Sequence, residues 1–126
     1  MYLIIDNSID DKISLHYSLN TKWVQRDFAV DEGMNILSSL QQVLDEEGED
    51  LADLNGLGAV VGIGRFTATR VAVTAGNTLA YALKIPIIGI TNIDYEDFSR
   101  KLKDVPIGQY VSAKYSGEAN IGKKKI

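Results

Sequence analysis

Hydrophobic and polar positions in the first part of the chain predict three β-strands. Tyr2 to Ile5 is a short apolar run that stops at the polar segment Asp6-Asn7-Ser8, as expected of a buried strand. Ile13 to Ser18 alternates between apolar and polar side chains, and so does Lys22 to Val30 after a turn at Asn20-Thr21. Because connections this short cannot cross over between parallel strands, the pattern predicts an antiparallel meander.

Beyond Gly33 the hydrophobic spacing predicts helices that alternate with strands. The helical segments are Met34 to Glu47, Phe66 to Lys84 and Asp94 to Leu102. The strand segments are Leu57 to Val61 and Ile85 to Ile90, which are continuously apolar, and Tyr110 to Tyr115, which alternates. Asn120 to Ile126 forms either a return strand or a basic tail. A meander followed by strand–helix units predicts an α/β domain with helices packed on a mixed sheet.

The composition fits one small globular domain and excludes several kinds of site. The chain has 126 residues, of which 45% are hydrophobic and 24% charged, and its net charge is −4. That charge argues against a nucleic-acid-binding surface spread over the whole protein. The absence of cysteine excludes disulfides and thiolate chemistry, and a single histidine cannot build a multi-histidine metal centre.

Neither a secretory leader nor a membrane span is expected. The N-terminal sequence MYLIIDNSIDD lacks a basic segment and reaches a charged residue after five apolar or neutral positions. No stretch approaches the about 20 consecutive apolar residues that a membrane-spanning helix needs. We therefore expect a cytoplasmic domain.

The turn from the fourth predicted strand into the second helix is the strongest local signal for chemistry. Gly62 and Gly64 allow tight backbone conformations, and the helix that follows presents free amide groups to an anion. Asp6 and Ser8, at the end of the first strand, could help to hold a metal-bound phosphate. Against a phosphate site, the chain has no P-loop sequence, and Thr67 stands where a dinucleotide motif needs its third glycine. The residues alone favour a structural turn and a structural strand end.

Two other kinds of reactive or charged side chain are interpreted as solvent-exposed. His16 lies on the more polar face of its strand, without an acid or serine at an informative spacing, so we predict a surface residue. Lys123, Lys124 and Lys125 could contact RNA phosphates, but a short lysine run of this kind is more typical of a soluble tail.

The second helix carries a stripe of small side chains. They recur at every fourth position and so share one helical face: Ala68, Ala72, Gly76 and Ala80. The neighbouring stripe is bulkier and is expected to contribute to the core: Thr67, Val71, Ala75 and Leu79. Because glycine inside a helix costs about 1 kcal/mol relative to alanine, Gly76 indicates close packing. The small stripe packs either against the sheet of its own domain or against a second protein.

With these motifs in place, the chain resembles the TsaB (YeaZ) family, whose members are non-catalytic relatives of the TsaD protein of tRNA threonylcarbamoyladenosine biosynthesis. LIIDNS at residues 3–8 is similar to the family's first strand, ILAIDTS. GIGRFTATRVA at residues 62–72 is similar to its central motif GPGSFTGLRIG, and LKIPIIGI at residues 83–90 to the strand that follows. GQYVSAKY at residues 108–115 is similar to the first strand of the family's second lobe. The motif differs at Ile63, Arg65 and Ala68, where the family has Pro, Ser and Gly.

The resemblance implies both a fold and a set of partners. The fold is an actin-like, ribonuclease H-like lobe with a five-stranded mixed sheet over residues 1–104, followed over residues 105–126 by a remnant of a second lobe, a strand or hairpin with a basic tail. The implied function is that of a scaffold subunit, not an enzyme and without a cofactor. Its implied partners are a TsaD-like protein, a second copy when alone, and a TsaE-like ATPase, with no strong direct tRNA binding and no membrane.

In the family the helices of the first lobe form the interface, so the resemblance places it on Met34 to Glu47 and Phe66 to Lys84. The predicted contact residues are Met34, Leu37, Phe66, Thr69, Arg70, Ala72, Val73, Gly76, Asn77 and Ala80. On this hypothesis Gly76→Leu or Ala72→Arg abolishes association and leaves the domain folded.

Two other functions stay open at the level of sequence. A nucleotide-binding enzyme of the ATPase type would use Asp6, Ser8, Gly62 and Gly64, and its magnesium-dependent binding of ATP would be abolished by Asp6→Ala. A self-associating structural module would form homodimers but no complex with a TsaD-like protein.

Overall fold

As far as the third helix, the order of elements confirms the predicted succession of three strands followed by helices and strands in alternation. The computed structural model describes residues 1–9, 11–30, 34–62 and 66–112. The strands are β1 (Tyr2–Asp6), β2 (Lys12–Leu19), β3 (Lys22–Ala29), β4 (Gly56–Val60) and β5 (Ile87–Ile90). The helices are α1 (Ile36–Glu47), α2 (Phe66–Leu83) and α3 (Tyr95–Leu102), with a short 3₁₀ turn at Leu51–Asp53.

The five strands form one mixed sheet in the order β3-β2-β1-β4-β5. The first three strands pair antiparallel, which confirms the meander, whereas β1 pairs parallel to β4 and β4 parallel to β5. This is the five-stranded mixed sheet expected of an actin-like, ribonuclease H-like lobe. Because β1 and β4 are parallel neighbours, the end of β1 at Asp6 and the end of β4 before Gly62 lie at the same edge of the sheet.

The sheet is covered by helices on both faces. On one face α1 and α2 pack against Leu3, Ile5, Leu15 and Leu57. On the other face Phe98 and Leu102 of α3 pack against Ile4, Val60 and Ile90. Both faces of β1 and β4 are therefore buried, which explains why their sequences are continuously apolar and do not alternate.

Both ends of α1 are fixed by capping interactions. Asn35 caps the first turn, where its side chain accepts a hydrogen bond from the Ser38 amide and the Ser38 hydroxyl accepts one from the Asn35 amide. Gly48 ends the helix in the left-handed conformation, with φ of 70°. Near that end Arg26 of β3 lies 2.8 Å from Glu46, and the Tyr17 hydroxyl donates a 2.7 Å hydrogen bond to Glu47. These contacts tie the acidic end of α1 to the sheet.

The small stripe of α2 faces the sheet. Ala72 and Ala80 are buried in the main core. A Cβ atom added to Gly76 would lie 2.8 Å from Ile87 Cδ1 and 3.9 Å from Ala59 Cβ. The stripe thus lets the α2 backbone approach β4 and β5, which is the first of the two roles that the sequence left open.

The segment after α3 folds back over the second half of α2. Residues 105–112 contain neither helix nor strand, and Val111 packs in a small cluster with Ala59, Val61 and Val73. The strand predicted over Tyr110 to Tyr115 is therefore wrong for its described part, residues 110–112, while residues 113–126 lie outside the described residues. The predicted division of the chain at residue 104 stays a prediction. None of the described helices is long and apolar enough to cross a membrane.

Candidate functional site

An open apolar groove of about 790 Å³ runs between α1 and α2 on the side that faces away from the sheet. Its lining residues come from both helices and the 3₁₀ turn: Asn35, Ile36, Leu37, Leu51, Thr67, Arg70, Val71, Thr74, Ala75, Thr78, Leu79 and Ala82. Leu37 is 58% exposed and Val71 is 45% exposed. Large apolar side chains left open to solvent side by side are typical of a protein-binding surface.

The helical phase of each helix decides which side chains reach the groove. In α1 the buried positions Ile36, Leu40 and Leu44 follow one stripe, and Leu37 is one position out of phase with them. In α2 Val71 and Thr74 lie on the surface because the small stripe occupies the face toward the sheet. The groove is therefore lined mainly by aliphatic side chains and threonine hydroxyls, with the charge of Arg70 among them. Such a surface can bind the apolar side chains of a second helix.

Some of the predicted contact residues lie at this groove. Leu37 and Arg70 line it. Met34 is half-buried, packs against the main core, and its sulfur accepts a hydrogen bond from the Ser38 hydroxyl. Phe66 begins α2, and its side chain lies outside the described residues.

Other predicted contact residues are enclosed within the domain, which corrects their assignment to a direct interface. Helix α2 turns these residues toward the sheet and away from solvent: Thr69, Ala72, Val73, Gly76 and Ala80. The physical reason is that β4 and β5 lie so close beneath α2 that small side chains fit between them. Gly76→Leu and Ala72→Arg would therefore disturb the fold and do not test an interface.

Asn77, also predicted to contact a partner, binds its own chain. Its side-chain amide donates a 3.0 Å hydrogen bond to the Val111 carbonyl, and its side-chain oxygen accepts one of 3.0 Å from the Val111 amide. These paired hydrogen bonds hold residues 105–112 against α2. Tyr110 of this segment contacts the exposed ring of Tyr81, with ring centroids 6.5 Å apart.

At the other candidate site, the end of β1, the polar groups already have partners within the chain. The Asp6 carboxylate accepts hydrogen bonds from the Ser8 amide at 2.9 Å and from the Ser8 hydroxyl at 2.6 Å. Asn7 donates a 3.2 Å hydrogen bond to the Ala68 carbonyl in the first turn of α2. Gly62 adopts a φ of 82°, which favours glycine, and Gly64 lies outside the described residues. The Ser8 bonds thus close a local turn after β1, and the Asn7 bond connects that turn to α2, as expected of a structural strand end.

His16 is buried, so its prediction as a surface residue is wrong. It is 5% exposed, and its Nδ1 atom lies 2.8 Å from the Tyr95 hydroxyl oxygen. Burial lowers the pKa of His16 below the ordinary value of 6.5, although the charges of Asp6 and Asp27 act in the opposite direction. The polar face of β2 is covered at His16 because the ring of Tyr95, in α3, lies against it.

The described residues include no group of three or more His, Asp or Glu side chains that could hold a metal ion. Sequence reasoning also missed most of the groove, since it placed the stripe containing Thr67 and Val71 in the core. The signal that could have revealed it is Leu37, an apolar residue out of phase with the buried stripe of α1.

Comparison with known proteins gives matches to two related kinds of protein. The family model described as "TsaD: tRNA N6-adenosine threonylcarbamoyltransferase" matches residues 33–117. The tRNA N6-adenosine threonylcarbamoyltransferase of Thiobacillus denitrificans is 34% identical over 56% of this chain and 21% of its own length. The tRNA threonylcarbamoyladenosine biosynthesis protein TsaB of Buchnera aphidicola subsp. Schizaphis graminum is 28% identical over 92% of this chain and 59% of its own length.

A solved structure shows the same fold. YeaZ from Pseudomonas aeruginosa superimposes with a TM-score of 0.64 at 23% sequence identity, over 72% of this chain and 44% of the YeaZ chain. The chain thus spans less than two thirds of the length of each of these relatives.

Proposed function

Because the chain belongs to the family of TsaD and its TsaB (YeaZ) relatives, we propose that it is a non-catalytic scaffold subunit of tRNA threonylcarbamoyladenosine biosynthesis. In this proposal it binds a TsaD-like protein through the groove between α1 and α2, and a second copy of itself occupies the groove when that partner is absent. A TsaE-like ATPase joins the complex, and the cytoplasm is the compartment.

The exposed apolar lining of the groove is the observation that carries this proposal. Leu37 and Val71 project from two different helices into one cleft, so a partner helix could cover both at once. Burial of a side chain of this size contributes about 1.5–3 kcal/mol. A few such contacts at the centre of an interface supply most of its affinity.

The engagement of the reactive side chains supports a role without catalysis. Asp6 accepts two hydrogen bonds from Ser8, and His16 is buried against Tyr95. A general acid or base must reach a substrate proton, whereas Asp6 is engaged by Ser8 and His16 by Tyr95.

The experiment is co-expression of the chain with the TsaD-like protein of the same organism, followed by size-exclusion chromatography. The unmodified chain is expected to elute in a mixed complex. Val71→Asp and Leu37→Asp should each weaken that complex by roughly 30-fold or more, because each places a charge at the buried centre of the interface. Because both positions are exposed in the free chain, the domain itself should stay folded.

Val30→Asp is the matched control for Val71→Asp. Val30 is 41% exposed, against 45% for Val71, but it follows β3 and does not line the groove. The control should bind like the unmodified chain. Equal binding by Val71→Asp and Val30→Asp would rule out the groove as the interface, and homodimers without any mixed complex would favour the self-associating module.

A further inference from the structure

On the face covered by α3, a polar row borders an aromatic layer. The polar row crosses three neighbouring strands through the paired positions of Asp6, Ser14 and Asp27. The aromatic layer consists of the rings of Tyr2, Trp23, Tyr95 and Phe98. His16 lies between the two, because it follows Ser14 by two positions on β2 and contacts the Tyr95 ring.

Tyr95, the first residue of α3, is held from two sides. Its hydroxyl oxygen lies 2.8 Å from His16 Nδ1. Its ring stacks on Trp23 of β3, with centroids 4.4 Å apart and planes 1° from parallel. The first turn of α3 is thus joined to β2 by one polar contact and to β3 by one stacking contact.

The charges around His16 favour different partners in its two protonation states. Asp6 on β1 and Asp27 on β3 stabilise a positive imidazolium, and Lys12 on β2 opposes it. From α3 the facing titratable group is Tyr95, and burial raises the pKa of its hydroxyl, so it stays neutral in the range where histidine titrates. Asp97 on α3 is paired instead with Arg100 and Lys101.

We propose that His16 is a pH-sensitive latch for the first turn of α3. With His16 neutral and protonated at Nε2, the Tyr95 hydroxyl donates a hydrogen bond to Nδ1 and fixes the start of the helix. The imidazolium carries protons on both ring nitrogens, so it can no longer accept that bond, and the carboxylates of Asp6 and Asp27 attract its protons more strongly than the neutral Tyr95 oxygen does. It turns toward the carboxylates of Asp6 and Asp27, and Tyr95 loses its partner and unstacks from Trp23.

The rest of α3 stays anchored when the latch opens. Phe98 and Leu102 are buried against Ile4, Val60 and Ile90, and none of these side chains titrates. The movement is therefore confined to the first turn, and it uncovers the sheet around Trp23. Acidification makes part of the α3 face available while the groove between α1 and α2 on the opposite face is unchanged.

The chain contains one histidine and one tryptophan, so both sides of the latch can be followed without ambiguity. The full chain would be titrated from about pH 8 to about pH 4, a range extended downward because burial lowers the pKa of His16. The imidazole proton resonance gives the protonation of His16, and tryptophan fluorescence gives the environment of Trp23. We expect a red shift of the Trp23 emission that follows His16 protonation with the same midpoint.

His16→Gln and Tyr95→Phe complete the experiment. His16→Gln should abolish the shift, since its amide does not titrate, and Tyr95→Phe should show much less of it because it keeps the stacking but lacks the hydroxyl. Protonation of His16 without any change in Trp23 emission, or with a different midpoint, would overturn the proposal. So would an undiminished shift in His16→Gln, and the titration of the unmodified chain decides the question if either variant fails to fold.

Discussion

Ser14 shows how a polar residue is accommodated on a covered strand. Its hydroxyl donates a 2.7 Å hydrogen bond to the Asp27 carboxylate on the neighbouring strand. Gln25 donates a second one of 3.1 Å to the same oxygen, and Lys12 lies 3.7 Å from the other. These hydrogen bonds, with the Ser14 bond foremost, hold the pKa of Asp27 below its ordinary value of 3.8.

Replacing Ser14 by alanine should therefore destabilise the domain in a pH-dependent way. At neutral pH the loss of one hydrogen bond to a charged group should cost about 1.5–3 kcal/mol of the free energy of unfolding. The pKa of Asp27 is lower in the folded state than its ordinary value of 3.8. The ionised carboxylate therefore contributes to the free energy of unfolding above about pH 3.8, and this contribution is lost as the pH falls through the folded-state pKa. Urea denaturation should thus show a smaller difference in stability between Ser14→Ala and the unmodified chain near pH 3 than at neutral pH.

Ser18→Ala is the control for this measurement. The Ser18 hydroxyl accepts a 2.9 Å hydrogen bond from the Tyr2 amide, so its loss involves no titrating group. Its cost should be the same at both pH values. An equal, pH-independent cost for both alanine variants would contradict the role given to Ser14.

His16 illustrates the limit of sequence reasoning at this scale. Ser14 and Ser18, which share its face of β2, are polar, and the local pattern alone favours exposure. The ring that covers it belongs to Tyr95, which is 79 positions away along the chain. Burial by so distant a residue cannot be predicted from the strand's own alternation of apolar and polar residues.

At the scale of elements, α2 carries two stripes that the sequence could not tell apart by role. Both are largely apolar and both recur at every fourth position, so periodicity alone does not say which one meets the sheet. The structure places Ala72 and Gly76 toward the sheet and Val71 toward the groove. Close approach of a helix to a parallel sheet selects the smaller side chains, and that constraint comes from the sheet.

Substitutions at Gly76 should show how large a side chain fits between α2 and the sheet. In Gly76→Ala the new Cβ meets Ile87 Cδ1 at 2.8 Å, the far end of a flexible side chain, and the better helix former offsets that displacement. Because glycine costs about 1 kcal/mol relative to alanine in a helix, we expect a net change within about 1 kcal/mol. Gly76→Leu overfills the space and should cost about 1–3 kcal/mol or more.

Chemical denaturation measures the stability of both Gly76 variants, and size-exclusion chromatography with the TsaD-like protein measures their binding. Folded Gly76→Leu that loses partner binding without losing stability would return Gly76 to the interface. A marked loss of stability in Gly76→Ala would show that Ile87 cannot move.

At the scale of the whole molecule, most of the fold was predictable because its signals are local. Alternation gave the meander, continuous apolar runs gave β4 and β5, and helical spacing gave three helices with bounds within two residues of the observed ones. The course of residues 105–112 was not predictable, since it depends on Asn77 and on contacts with Tyr81 and Val73 that the segment's own sequence does not encode. The two helices that form the candidate groove were predicted correctly, but only some of the residues that line it were.

Phe98 tests whether the layer formed by α3 folds together with the rest of the molecule. It is buried against Gly58 of the inner strand β4 and makes edge-on ring contacts with Tyr2 and Trp23. Phe98→Ala should cost about 3–5 kcal/mol, a large part of the total stability of a domain this size. Hydrogen exchange should show the loss in β1 and β4 as well as in α3, because Phe98 joins these elements.

Phe98→Leu is the control, because it keeps most of the side-chain volume. It should lower the free energy of unfolding by less than about 1.5 kcal/mol, so the difference between the two variants measures the loss of packing. Increased exchange confined to the amides of α3 in Phe98→Ala would show instead that α3 unfolds as an independent unit.

The two outer strands of the sheet decide what kind of assembly the molecule can enter. β3 carries Lys22, Arg26 and Asp27 along its length, and β5 has four residues, with Val111 lying over Gly89. Charged or short outer strands give a poor template for the endless strand-by-strand addition that builds fibrils. Under the proposed function, association instead uses the groove between α1 and α2, and a groove that is filled by one partner stops growth after that partner. The same sheet that shapes the domain thus favours assemblies of fixed size over open-ended polymers.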